Sequence, residues 1–150
     1  MNKIKGFTLV ELIITLVLLG IIAAYVIPRI STQGIKDNAE AMAFISNVRF
    51  IQHKSMVEGG YFYIKLDEDE NKYFLYSPDD SLIDTPDGKN PVVVESRLTY
   101  SGPIIDGKIY FNLWGQPESP KGKLITDKIT VSIGSYKVII EPYSGGVYIQ

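Results

Sequence analysis

A chain of 150 residues suffices for one ordinary domain with an appendage. Its 45% apolar and 21% charged residues are those of a folding chain, and a formal charge of −2 argues against nucleic acid or an anionic surface as main partner. The absence of cysteine removes disulfides, thiolate metal sites and a cysteine nucleophile.

Residues 7–28 come first in chain order. From Phe7 to Ile27 the only charge is Glu11, and Thr8 and Thr15 are the only other clearly polar side chains. As a helix this stretch reaches about 30 Å, the thickness of a bilayer's hydrocarbon core, and it reads as membrane-spanning. An ordinary secretory signal fits poorly: the apolar stretch is too long, and Ala23 and Ala24 make a weak cleavage site. A plain single-pass anchor is the other rival. Lys3 and Lys5 before the helix, against Arg29 and Lys36 after it, give only a slight bias to a cytoplasmic N-terminus. A carboxylate costs about 2.5–3.5 kcal/mol at the centre of a membrane helix, so Glu11 is by default a functional residue in need of a partner.

Residues 29–58 continue as an amphipathic helix, interrupted near Pro28 and at Gly34. Ala41, Phe44, Ile45, Val48, Ile51 and Ser55 recur at helical spacing, while Asn38, Glu40, Asn47, Gln52 and Lys54 occupy the other sides. Gly59-Gly60 ends the helix. Residues 61–150 then read as short strands over 61–66, 72–77, 92–100, 108–112, 128–134, 136–142 and 146–150. The first two flank the turn DEDEN as a hairpin, and the last three form an antiparallel meander. The fold class is α+β, a long N-terminal helix laid on an antiparallel sheet in one head of residues 29–150.

The stretch Lys5-Gly6-Phe7-Thr8-Leu9-Val10-Glu11-Leu12-Ile13 resembles the prepilin signature of type IV pilins and type II secretion pseudopilins. The resemblance implies a leader over residues 1–6, cut between Gly6 and Phe7 by a prepilin peptidase that then N-methylates Phe7. It implies a helix over 7–28 that spans the inner membrane and later lies in a filament core, with the head outside the cytoplasm. Glu11 becomes the assembly residue, paired with the terminal amine of a neighbouring subunit; the chain's own Phe7 amine lies one helical turn away. Gly20 and Pro28 resemble the family's helix-weakening positions. The implied partners are the peptidase, other pilin or pseudopilin subunits, an assembly platform with its ATPase, and membrane lipid before assembly.

A second resemblance lies in the head. Val48-Arg49-Phe50-Ile51-Gln52 with Ser55-Met56 is similar to the late helix of H-type minor pseudopilins and of related minor pilins of type IV and mannose-sensitive haemagglutinin pili. Phe111-Asn112-Leu113-Trp114-Gly115-Gln116-Pro117 resembles their Phe-x-x-x-Gly-x-Pro turn, and Ile139-Ile140-Glu141-Pro142 with Gly145 resembles their closing hairpin. Many major pilins carry a C-terminal disulfide loop that this chain cannot form, which favours a pseudopilin or minor pilin.

Other chemistry has little support. His53 is the only histidine, on a helix face, and no nucleophile, phosphate-loop or zinc motif appears, so the chain is not read as an enzyme. No cofactor is expected. Calcium is the one metal with candidates, the acidic turn Asp67, Glu68, Asp69, Glu70 and the loop acids Asp79, Asp80, Asp84 and Asp87, though neither has EF-hand spacing. Lys121 and Lys123 are a small basic patch, too little to favour DNA. Tyr61, Phe62, Tyr63, Tyr73, Phe74, Tyr76, Tyr110, Phe111 and Trp114 fall at strand spacing, as core and cross-strand pairs do. Two other classes stay open: a filament-tip module that binds DNA or a surface, and a membrane-anchored enzyme or sensor.

Overall fold

A computed structural model describes residues 7–26 and 32–150. The chain divides into two compact units, residues 1–32 and residues 33–150.

In the first unit, helix α1 spans Leu9–Val26. Its 18 described residues rise about 27 Å. Among the described residues no helix is long and apolar enough to cross a membrane. The span expected over 7–28 is described as far as Val26. Gly6 and Pro28 lie outside the described residues.

The second unit begins with helix α2, Gln33–Lys54, which closes in a π-helical turn, Ser55–Gly59. Gly59 ends it at φ 73°, a left-handed conformation that glycine reaches without a Cβ clash. The periodic stripe Ala41, Phe44, Ile45, Val48, Ile51 and Ser55 is buried throughout. The break expected at Gly34 does not occur, because α2 runs through that residue in its first turn. Glycine costs a helix only about 1 kcal/mol, and Gln33 Nε2 donates to Asp37 Oδ1 at 2.8 Å across the same turn.

Among the described residues nine strands form two antiparallel sheets where one is expected. Strands β1 (Tyr63–Asp67), β2 (Lys72–Tyr76), β3 (Val92–Val93), β5 (Lys108–Phe111) and β6 (Pro117–Glu118) build the first, in order β3-β2-β1-β5-β6. Strands β4 (Leu98–Ser101), β7 (Ile129–Ile133), β8 (Tyr136–Ile140) and β9 (Val147–Ile149) build the second, in order β4-β7-β8-β9. The DEDEN hairpin and the C-terminal meander are both present, with Asp67 opposite Lys72 and Ile133 opposite Tyr136.

The expected strand 92–100 is two strands in different sheets. Between them the amides of Glu95 and Ser96 donate to the Glu40 carboxylate at 2.8 and 3.1 Å, so α2 pulls the chain out of one sheet before it enters the other. Strand β6, two residues long, was not foreseen.

One core joins α2 to both sheets. Ile64, Leu66, Tyr73, Leu75, Ile109 and Phe111 come from the first sheet, and Leu98, Ile129, Val131, Ile133, Val138, Ile140 and Val147 from the second. Each buried large side chain contributes about 1.5–3 kcal/mol. Asn47, expected on the solvent side of α2, is buried instead. Its amide donates to the Tyr73 hydroxyl at 2.8 Å, and Phe44 meets the same tyrosine edge-on at 5.1 Å between ring centroids. Burial, chiefly, pushes the Tyr73 hydroxyl up to about 12.

Candidate functional site

The chemistry-bearing N-terminus is built around the first turn of α1. Leu9 is the first helical residue, and Phe7 and Thr8 precede the helix. The Thr8 carbonyl accepts from the Leu12 amide at 3.2 Å, which makes Thr8 the N-cap. Thr8 Oγ1 accepts from the Glu11 amide at 3.3 Å, and Glu11 Oε2 in return accepts from the Thr8 amide at 3.4 Å. This reciprocal pair is a capping box, and the acid at the third helical position also faces the positive end of the helix dipole. The Thr8 hydroxyl reaches the same carboxylate oxygen at 3.4 Å. Thr8 had no role in the sequence reading, although the Thr-x-x-Glu spacing that marks such a box was legible there.

Beyond that turn α1 is unbroken. Its large apolar side chains from Leu9 to Ile22 are all exposed, a surface that water alone does not favour. Thr15 Oγ1 folds back onto the Leu12 carbonyl at 2.8 Å, which engages its own donor. Gly20 sits mid-helix, and a Cβ built there would meet nothing within 4 Å. Packing among the described residues does not demand glycine at this position, and glycine is a poorer helix former than alanine by about 1 kcal/mol.

In the head, the three stretches of the second resemblance converge on one side chain. Gln52 Nε2 donates to the carbonyls of Gly115 and Gly145 at 3.0 and 2.7 Å. Gly145, at φ 67°, leaves no room for a Cβ, which would collide with the Gly115 carbonyl. Asn112 shapes the turn by accepting from the amides of Trp114 and Gln116, both at 3.0 Å, and Gln116 Nε2 donates to the Tyr143 carbonyl at 2.7 Å. Gln52, expected on a solvent face of α2, is thus the pin of this corner. Beside it a groove of about 440 Å³ runs past Arg49, Met56, Trp114 and Tyr148, and Trp114 is 74% exposed.

Several of the acidic candidates for calcium make separate local contacts. Asp67 accepts from the Glu70 amide, Asp80 from the Tyr63 hydroxyl at 2.8 Å, and Asp87 from Thr85 while pairing with Lys89 at 2.9 Å. The hydroxyls of Ser77 and then Ser81 hold Asp79 below the usual carboxylate range, and the Thr85 hydroxyl, then Lys89, does the same for Asp87. Among the described residues no three His, Asp or Glu side chains gather as a metal site.

The tyrosines of the first sheet form a cross-strand row. Tyr63 stacks on Tyr76 at 4.7 Å and 9°, and meets Tyr110 in a tilted contact at 4.7 Å and 37°. Their faces are turned to one another, not to a base. Burial and then the Asp80 contact raise the Tyr63 hydroxyl well above its usual value. Lys121 lies over Tyr61 at 5.0 Å, a cation–π contact that uses half of the small basic patch. His53 is exposed at the end of α2.

Residues 1–27 match the family described as the prokaryotic N-terminal methylation motif. The match covers Gly6, Phe7, Glu11 and Gly20 and stops before Pro28. No curated protein and no solved structure matches the chain. A motif of this kind implies processing by a prepilin peptidase and assembly with other pilins. The motif over residues 1–27, on an apolar helix with one acid in its first turn and ahead of an α+β head, supports likeness to a type IV prepilin.

Proposed function

We propose that this chain is a structural subunit of a type IV pilus-like or type II secretion pseudopilus filament, of the minor-pilin or H-type pseudopilin kind. It is held in the inner membrane with its head outside the cytoplasm, cut between Gly6 and Phe7, methylated at Phe7, and then drawn into the filament by an assembly platform and ATPase. The observation that carries the reading is the motif match over residues 1–27 on a helix whose long apolar side chains are all exposed. Such a surface is stable only against lipid or other helices.

The role of Glu11 follows from its place at the start of that surface. Its carboxylate meets the amine that cleavage creates on a neighbouring subunit and so fixes the axial stagger of packed helices. The head forms the shell. The cysteine-free C-terminus and the corner pinned by Gln52 support the minor-subunit reading.

Mass spectrometry of the mature N-terminus tests the processing step. The expected species starts at N-methylated Phe7, and an intact Met1 in cells with an active prepilin peptidase would sink the reading. Glu11→Ala is expected to insert and be processed yet to fall out of sheared filaments. Normal incorporation of that variant would refute the stagger role.

A further inference from the structure

We propose that the groove between α2 and β3 is a docking site for an extended basic peptide, a segment of a partner protein that adds to the free edge of β3. The site lies wholly in the second unit and does not depend on the prepilin reading.

Small side chains leave the groove open. Ala39 and Ala43, four apart on the outer face of α2, do not fill the space beside Val92, Val93 and Val94, which measures about 470 Å³. The wall opposite the helix is a strand edge, since β3 is the outermost strand of the first sheet. Lys72 stands opposite Val93, and the Val94 amide donates to the Asn71 carbonyl at 2.9 Å, so the Val93 amide and carbonyl point away from β2. Such an edge is a template for another strand. The next outward amide, that of Glu95, is already met by the Glu40 carboxylate at 2.8 Å, as an incoming carbonyl would meet it.

The floor is polar. Tyr73 and Asn47 line the groove at 1% and 5% exposure, and the Asn47 amide donates to the Tyr73 hydroxyl at 2.8 Å. Among the described residues no acceptor takes the Tyr73 proton and no donor reaches Asn47 Oδ1. Exchanging the two ends of the amide leaves the same offer, a donor beside an acceptor, which a peptide group or a side-chain amide complements. Burial chiefly, then the charges of Asp87 and Glu40, raise the Tyr73 hydroxyl to about 12, so its proton stays on.

Charge selects the occupant. Glu40, Asp87 and Glu95 line the groove against one cation, Lys89. Asp87 pairs with Lys89 and Glu95 with Lys36, but both pairs are exposed and therefore weak. Among the described residues Glu40 accepts only from the amides of Glu95 and Ser96 and has no ion-pair partner. An ammonium or guanidinium on the incoming strand supplies one.

The test is fluorescence anisotropy of a labelled short peptide of alternating valine and lysine, titrated with the full-length chain in uncharged detergent micelles, with empty micelles as blank. Saturable binding is expected, and a valine–glutamate peptide should bind at least about tenfold more weakly. Glu40→Gln should also weaken binding about tenfold. Ala43→Phe, which fills the groove from an exposed helix position, is expected to abolish binding at an unchanged melting temperature. Should that variant melt lower, the wild-type chain still decides: the same peptide N-methylated along its backbone keeps its charge, cannot donate to β3, and should not bind. No saturable binding, equal binding of the two charge types, or wild-type affinity in Ala43→Phe overturns the inference. Undiminished binding of the N-methylated peptide overturns the pairing with β3. Self-association of the chain that Ala43→Phe removes would assign the groove to a second copy and overturn the peptide as its occupant.

Discussion

Asp37 shows how much one residue of the head carries. Its side chain is 4% exposed, and donors from three segments converge on it: Ser96 Oγ at 2.7 Å, Ser135 N and Oγ both at 3.0 Å, and Gln33 Nε2 at 2.8 Å. These bonds, that from Ser96 first, hold the carboxyl down at about 2, below its ordinary 3.8. A depressed value means that the folded head favours the ionised form. The stabilisation is thus complete above about pH 4 and lost as pH falls toward about 2. Melting temperatures of the head measured from pH 7 to pH 2 are expected to fall most steeply in that last interval. Asp37→Asn should melt several degrees lower at pH 7, and its deficit should shrink as the wild-type carboxyl protonates. A deficit that stays constant with pH would show that the charge is irrelevant.

At the scale of elements, α1 gives the clearest expectation. Gly20→Ala adds no contact, since a Cβ there meets nothing within 4 Å, and should firm the helix by about 1 kcal/mol. Amide exchange around residue 20 in micelles is expected to slow about fivefold, with head amides unchanged. Helix α2 shows which elements can be read from sequence. The stripe from Ala41 to Ser55 was legible because its period is local. Asn47 and Gln52 escaped that pattern because their partners, the Tyr73 hydroxyl and two glycine carbonyls, lie far along the chain. The split of 92–100 into β3 and β4 was hidden for the same reason: the carboxylate that breaks the strand belongs to Glu40. In the N-terminal site, Gly6, Phe7 and Glu11 were legible as a motif. The link between Glu11 and Thr8 was legible only as a spacing until the helix start was located.

For the molecule as a whole, the two units differ in what holds them. Every residue of the buried core lies between Ala41 and Val147, inside the second unit. A fragment of residues 32–150 is therefore expected to be soluble and to unfold in urea as one cooperative transition. Gly145→Ala should lower its stability by about 1–3 kcal/mol from backbone strain alone, read as a lower midpoint. A fragment that melts gradually would show that the core needs the first unit. The head also has a defined response to force. A pull on the chain at residue 32 enters at the first turns of α2. There Lys36 pairs with Glu95 at 3.0 Å, Asp37 holds Ser96 and Ser135, and Glu40 holds the amides of Glu95 and Ser96. The load is divided at once between the link from the first sheet to the second and the β7–β8 turn. A pull that enters at residue 32 thus meets bonds to two separate parts of the fold within the first turns of α2, before it reaches the core.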